Sequence, residues 1–141
     1  MNSLKRFADP VYCIMRLFVG LMYACHGAQK ILGWFTPPGR PAQPLDAFGT
    51  IGGWIELVCG LLIALGLLTS IAAFIASGEM AAAFFKVHFA ATAMGWVPLV
   101  NRGELAVAYC WIFLFIFFYG SGRFSLDALI RKPGTATPAV A

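Results

Sequence analysis

From Thr50 to Ala93 the chain is apolar, with only Glu56, Glu79 and Lys86 as charged interruptions. As a single helix this run would be roughly 65 Å long, about twice the hydrocarbon thickness of a bilayer. It must therefore fold back once. Thr69-Ser70, after Gly66, is the predicted place, and Ser70 can cap the helix that follows. The run then divides into spans at about 50–68 and 70–93. An earlier apolar run at about 10–33 and a later one at about 103–119 complete the set. Each comes near the ~20 residues that a membrane helix needs. The predicted fold class is all-α, an integral membrane four-helix bundle with a short C-terminal interfacial helix.

The connections agree. Trp34 to Gly49 holds Pro37, Pro38, Pro41 and Pro44 and reads as a stiff irregular loop. Trp34 and Phe35 fall where an interfacial aromatic belt belongs. Met94 to Arg102, with Gly95, Trp96 and Pro98, reads as a second loop. Beyond Gly120, Ser125 looks like an N-cap, with Asp127 in the first turn and Phe124 facing Leu129 as a staple. An interfacial helix is expected over about 126–131, and a frayed tail over 133–141. Residues 1–132 form one membrane domain on this reading. The first run, from Val11 to Phe35, is too long for a signal h-region, holds Arg16, and reads as a retained span.

Composition excludes the other classes. Of 141 residues, 60 % are apolar and 11 % charged, against about 25 % charged in a soluble domain. A domain of this size cannot cover a water-facing surface with so few charges. A disordered tail and a nucleic-acid module are excluded on the same ground, and no basic run is dense enough for nucleic acid. The net charge of +4 is weighted to the ends. Lys5, Arg6, Arg123, Arg131 and Lys132 share one side of a four-span chain, and Lys30, Arg40 and Arg102 the other. This bias places both termini in the cytoplasm. Cys13, Cys25, Cys59 and Cys110 each lie in an apolar run and read as small buried hydrophobes.

A set of motifs in order carries a family resemblance. Arg16 and Gly20 are followed by His26-Gly27 with Lys30, then Glu56 with Gly60 and Leu65-Gly66-Leu67, then Met80-Ala81 with His88. Asn101-Arg102-Gly103-Glu104 and the closing run Gly120 to Asp127 complete it. Over about residues 10 to 130 the chain resembles the DoxX family of small four-span bacterial membrane proteins. One departure is Thr69-Ser70, where the family often has Thr-Arg, which removes a cytoplasmic positive charge. The resemblance implies residence in the bacterial inner membrane. It also implies association with quinone-linked oxidoreductases, including thiosulfate:quinone oxidoreductase and terminal quinol oxidase assemblies.

Charge inside a bilayer costs at least ~2.5–3.5 kcal/mol per group, so each such group needs a partner or a purpose. On a helical wheel Arg16, Gly20, Tyr23, Gly27 and Lys30 share one face of the first span. Gly52, Glu56 and Gly60 share one face of the second, and Ala72, Ala76, Glu79, Ala83, Lys86 and Ala90 one face of the third. Small residues mixed with ionisable ones mark faces turned to the bundle interior. Matched depth predicts three pairs: Arg16–Glu79, Glu56–Lys86 and Lys30 near Glu104. Such pairs either fix helix register or line a polar pocket for a quinone headgroup or a proton path. The candidate ligand-binding residues are Arg16, His26, Glu56, Glu79 and Lys86. Glu104 has a second account, a capping box with Asn101.

His26 and His88 fall at similar depth, where two imidazoles on facing helices could ligate a haem b. The wheel turns His88 about 180° from the Glu79 stripe, which argues against haem. Trp111, Phe113, Phe115, Phe117, Phe118 and Tyr119 surround span four. They read as lipid-facing bulk or as a docking face for a larger subunit or pigment. The chain has no nucleophile–base pair, phosphate loop, metal-ligand cluster or redox cysteine pair, so catalysis by the chain alone is not expected. The leading expectation is a subunit of a quinone-linked electron-transfer complex, packing its helices and lining a quinone site. A purely structural subunit at the rim of a respiratory or photosynthetic complex is the second. A standalone binder or carrier of a small lipophilic molecule is the third.

Overall fold

Glycine and acid signals punctuate a chain that is otherwise uniformly apolar, and the helix ends follow them. The computed structural model describes residues 2–37, 39, 44–91 and 93–131. A single turn, α1 (Asn2–Lys5), leads into α2 (Ala8–Leu32), which stops at Gly33 in the left-handed conformation, its N–H on the Ala28 carbonyl. Asp46 caps α3 (Ala47–Leu65), its Oδ1 accepting from the Gly49 N–H at 2.7 Å. The cap starts α3 three residues ahead of the predicted boundary at 50, and left-handed Gly66 ends it. α4 (Thr69–Ala83) continues through a π-turn, Phe84–His88, and a 3-10 turn, Phe89–Ala91. After α5 (Pro98–Asn101) come α6 (Glu104–Tyr119) and α7 (Leu126–Ile130). No strand occurs among the described residues. The expected tail at 133–141, together with Lys132, Pro38, Arg40 and Pro41, lies outside them.

Helix α2 packs on α3, α4 on α6, and α3 on α4. The α2–α3 seam is closed by small residues. A Cβ on Gly20 would lie 2.8 Å from the Gly60 carbonyl oxygen, and one on Gly60 2.5 Å from the Ala24 nitrogen. The two backbones therefore touch at these glycines, as the small-residue stripes predict. Tyr23 from α2, Ile63 from α3, Ala76 from α4 and Phe113 from α6 meet in one buried core. The outside is apolar instead of charged: Phe18, Trp54, Phe74, Trp111 and Phe118 are all exposed. Of the helices, α2, α3 and α4 with its π-turn are long and apolar enough to cross a membrane. The 16 residues of α6 fall short of the ~20 needed.

Three capping expectations resolve differently. Ser125 caps α7, its Oγ accepting from the Ala128 N–H at 3.1 Å. Ser70 does not cap α4. The helix begins one residue earlier, and Asp127 of α7 caps it from outside, accepting from the Leu68 and Thr69 N–H groups at 2.9 and 3.0 Å. Asn101 and Glu104 form no capping box. Asn101 is buried and turns back onto the chain, its Nδ2 donating to the Gly95 carbonyl and its Oδ1 accepting from the Gly103 N–H at 2.7 Å. Of the four cysteines expected to be buried, Cys13 and Cys59 are, Cys110 is half-buried and Cys25 is exposed. Among the span-four aromatics Phe113 is fully buried, stacked on Tyr109 at 5.4 Å, so it belongs to the core.

Candidate ligand cavity in the helix interior

None of the three predicted charge pairs forms among the described residues. Arg16 is 2 % exposed, and its guanidinium binds carbonyls. Nη1 donates to Ile63 and to Ala64 (2.9 Å), and Nη2 to Phe124 (2.7 Å). The last turn of α3 leaves carbonyls without helical partners, and a cation there also meets the negative helix end. Glu79 instead accepts from the Tyr23 hydroxyl at 2.8 Å, two turns beyond Arg16 on α2. Gly52 makes room for it, since a Cβ there would sit 3.0 Å from Glu79 Oε1. Glu56 pairs with Lys30, Nζ to Oε1 at 2.7 Å. Lys86 turns outward, its ammonium 4.0 Å over the Phe48 ring. The cause is the π-turn, whose i→i+5 bonding breaks the even 100° advance assumed on the wheel. Glu104 is exposed at the start of α6.

The Glu56–Lys30 pair forms one wall of a cavity of about 240 Å³ between α2, α3, α4 and α6. His26 and Tyr23 from α2, His88 from the π-turn, and Tyr109 from α6 face it, with Arg102 at the start of α6. The remaining walls are apolar, from Met80, Ala83, Leu105 and Ala106. His26 meets Tyr109 edge-on at 6.3 Å, and His88 Nδ1 is 3.1 Å from the Asn101 carbonyl oxygen. Two buried polar atoms of the wall, Glu56 Oε2 and Tyr109 Oη, have no hydrogen-bond partner. An unpartnered buried polar atom costs about 1–3 kcal/mol. The cavity thus presents one free carboxylate acceptor and one free phenol donor, in walls that mix apolar residues with His26, His88, Lys30 and Arg102.

Comparison with known proteins gives the family of this chain. The DoxX family model matches residues 11–89. The chain is 37 % identical over 128 residues to an uncharacterized protein of Haemophilus influenzae, covering 90 % of this chain and 96 % of that protein. It is 32 % identical over 140 residues to an uncharacterized membrane protein of Mycobacterium tuberculosis, covering 89 % of this chain and 84 % of that one. The chain belongs to the DoxX family. No solved structure matches it.

In this DoxX membrane protein the five candidate residues divide. His26 and Glu56 line the cavity, and Glu79 stands behind it through Tyr23. Arg16 lies at the opposite end, beside Phe124, and Lys86 lies outside, against Phe48. His88 joins the cavity, although an ideal wheel turns it away. Tyr109 and Arg102 also line the cavity, and the sequence pattern singles out neither. Tyr109 is one of several aromatics on α6, which also carries Trp111 and Tyr119, so no polar stripe marks it. Arg102 gains its place from a left-handed backbone (φ 59°), which nothing in its side chain signals.

Proposed function

We propose that this DoxX protein binds the single-ring headgroup of a quinone-type lipophile in the cavity beside Glu56, as a subunit of a quinone-linked membrane oxidoreductase. The observation that carries the reading is the pair of unpartnered buried atoms, Glu56 Oε2 and Tyr109 Oη. A quinone carbonyl accepts from a phenol, and a quinol hydroxyl donates to a carboxylate, so the two wall atoms complement both forms of such a ring. A volume of about 240 Å³ is below the range of drug-sized ligand pockets, ~300–1,000 Å³, and suits one ring rather than a porphyrin. That size argues against haem held by His26 and His88. When bound, the quinone would supply the redox chemistry. The chain's residues would hold its oxygens, and Lys30 would keep the Glu56 carboxylate oriented.

Four spans with both termini in the cytoplasm are part of this proposal. α5 and α6 together run from Pro98 to Tyr119, interrupted only at Arg102–Gly103, and so reach membrane-spanning length as a broken helix. The start of α2 and the segment before α7 meet at one end, where Tyr12 donates to the Gly120 carbonyl and Arg16 to that of Phe124. The basic residues Arg6, Arg123 and Arg131 gather there.

The test is gentle extraction of the native protein, with mass spectrometry of its lipids and co-purifying chains, and titration of the purified protein with a short-chain ubiquinone analogue. The expected result is bound quinone and saturable quenching of tryptophan fluorescence. Glu56→Gln and Tyr109→Phe should each weaken binding about tenfold. A protein that carries no quinone, and binds none in either form, overturns the reading.

A further inference from the structure

At the end of the molecule away from that cavity, a second feature is built around Arg16. Its guanidinium is buried, and among the described residues no carboxylate lies within ion-pair distance of it. Three of its five N–H groups go to the carbonyls of Ile63, Ala64 and Phe124, while Nε is buried without a partner. Asp9, two turns earlier on α2, leaves its own Oδ2 unpartnered and does not answer the charge. Carbonyl dipoles hold a guanidinium in place, but the net positive charge stays uncompensated in a low-dielectric layer.

Beside Arg16 runs a groove of about 400 Å³ with apolar walls, from Ile14, Leu17, Leu65 and Phe124, in which Arg16 is the one charged residue. It adjoins a second hollow of about 340 Å³ that shares Leu65 and Phe124 and adds Arg123 and Leu129. Ile14, Leu17 and Leu65 are exposed on the outer face of the helices, where acyl chains pass. Arg123 is exposed at the same end, next to Phe124 in the second hollow. The groove therefore joins a greasy channel, open to lipid, to two arginines at its polar end. Gly66 admits the inner arginine, since a Cβ there would lie 2.9 Å from Arg16 Cζ.

We propose that this groove is a binding site for an anionic phospholipid of the surrounding leaflet. One acyl chain lies along Ile14, Leu17 and Leu65, and the phosphate stands between Arg16 and Arg123. The phospholipid is preferred to a free anion because most of the surface is apolar, and to a zwitterionic lipid because the site holds two positive charges and no acid. The site is independent of the quinone cavity.

The test uses the full-length protein in nanodiscs of phosphatidylcholine with a minor fraction of phosphatidylglycerol. Lipid retained after mild extraction is counted by native mass spectrometry. The expected result is preferential retention of one phosphatidylglycerol. Arg123→Gln should reduce that preference about fivefold, Arg16→Gln should abolish it, and Leu17→Trp should displace the lipid by filling the groove. Should Arg16→Gln fail to fold, the other two variants decide. Equal retention of both lipids, or undiminished preference in Arg123→Gln and Leu17→Trp, overturns the proposal. Displacement by inorganic phosphate alone, or preferred retention of oleate, also overturns it, in favour of a bare anion site or a fatty-acid site.

Discussion

Asp127 on α7 caps Thr69 at the start of α4, fifty-eight positions away in sequence, accepting from its N–H at 3.0 Å and from its hydroxyl at 2.9 Å. The Leu68 N–H completes the cap, and the Asp127 N–H returns a bond to the Gly66 carbonyl at 2.8 Å. The short terminal helix thus fastens the turn between α3 and α4. That turn holds Leu68 in the left-handed region at φ 49°, a conformation unfavourable for a leucine unless its surroundings impose it.

The Asp127 cap should set a pH limit on stability. Burial alone would raise this carboxyl, but the hydrogen bonds from Thr69 and Leu68, with the charge of Arg131, outweigh it and leave the group below its ordinary value. A carboxylate lowered on folding stabilises the fold above its unfolded value, about 3.9, and loses that contribution as pH falls through the lower folded value. Asp127→Ala should cost about 0.5–2 kcal/mol near neutral pH, as for other lost caps. Thermal unfolding in detergent from pH 7 downward checks this. The gap between wild type and variant should narrow only below about pH 4, and a constant gap would show that the carboxylate charge is irrelevant.

Glu56 and Lys30 should behave as a coupled pair. Glu56 is 3 % exposed, so Lys30→Met strands a buried carboxylate, at a cost of about 3 kcal/mol. The lysine side chain is 37 % exposed, and solvent screening brings the loss below that figure. Lys30→Met with Glu56→Gln should recover most of it. Lys86→Met removes only a surface contact with Phe48 and should change stability by no more than about 0.5 kcal/mol. A double-mutant cycle on unfolding in detergent distinguishes the two lysines. A coupling of Glu56 to Lys86 instead of Lys30 would restore the register read from the helical wheel.

The Gly20–Gly60 contact should tolerate nothing larger. A Cβ at Gly60 meets the Ala24 backbone, which cannot swing aside as a side chain would. Gly60→Val should cost about 3 kcal/mol, the upper end of overpacking, because α2 and α3 must separate. Loss of the folded species on size-exclusion chromatography with heating measures it. Gly78, which has open space around its Cβ position, is the control, and Gly78→Ala should be neutral or slightly stabilising.

The apolar runs, the reversal near Gly66 and the glycine seam were legible because bilayer thickness and backbone approach leave few solutions. The partners of the charges were not. A helical wheel assumes one twist, and the π-turn at Phe84–His88 breaks it, sending Lys86 outward and His88 inward. Matched depth paired acids with bases, whereas Arg16 found the carbonyls at the end of α3 and Glu79 found a tyrosine. Of the residues lining the cavity, His26 and Glu56 were legible because charge and imidazole are rare inside a bilayer. Tyr109 was not, because a phenol on an aromatic-rich helix looks like packing.

Arg16 also holds α7 in place. Nη2 donates to the Phe124 carbonyl, immediately before the Ser125 cap of α7, so the guanidinium ties α7 to α3. Lysine keeps the charge but lacks the planar fork that reaches carbonyls on both elements at once. Arg16→Lys should therefore release the segment from Gly120 to Ile130 while leaving the long helices folded. Losing one charged hydrogen bond, about 1.5 kcal/mol, raises the open population about tenfold. Trypsin reports it directly, since Arg123 is exposed within that segment. Cleavage after Arg123 should be about tenfold faster in the variant when cleavage is slower than reclosing. Unchanged cleavage would mean that the Asp127 cap alone holds α7.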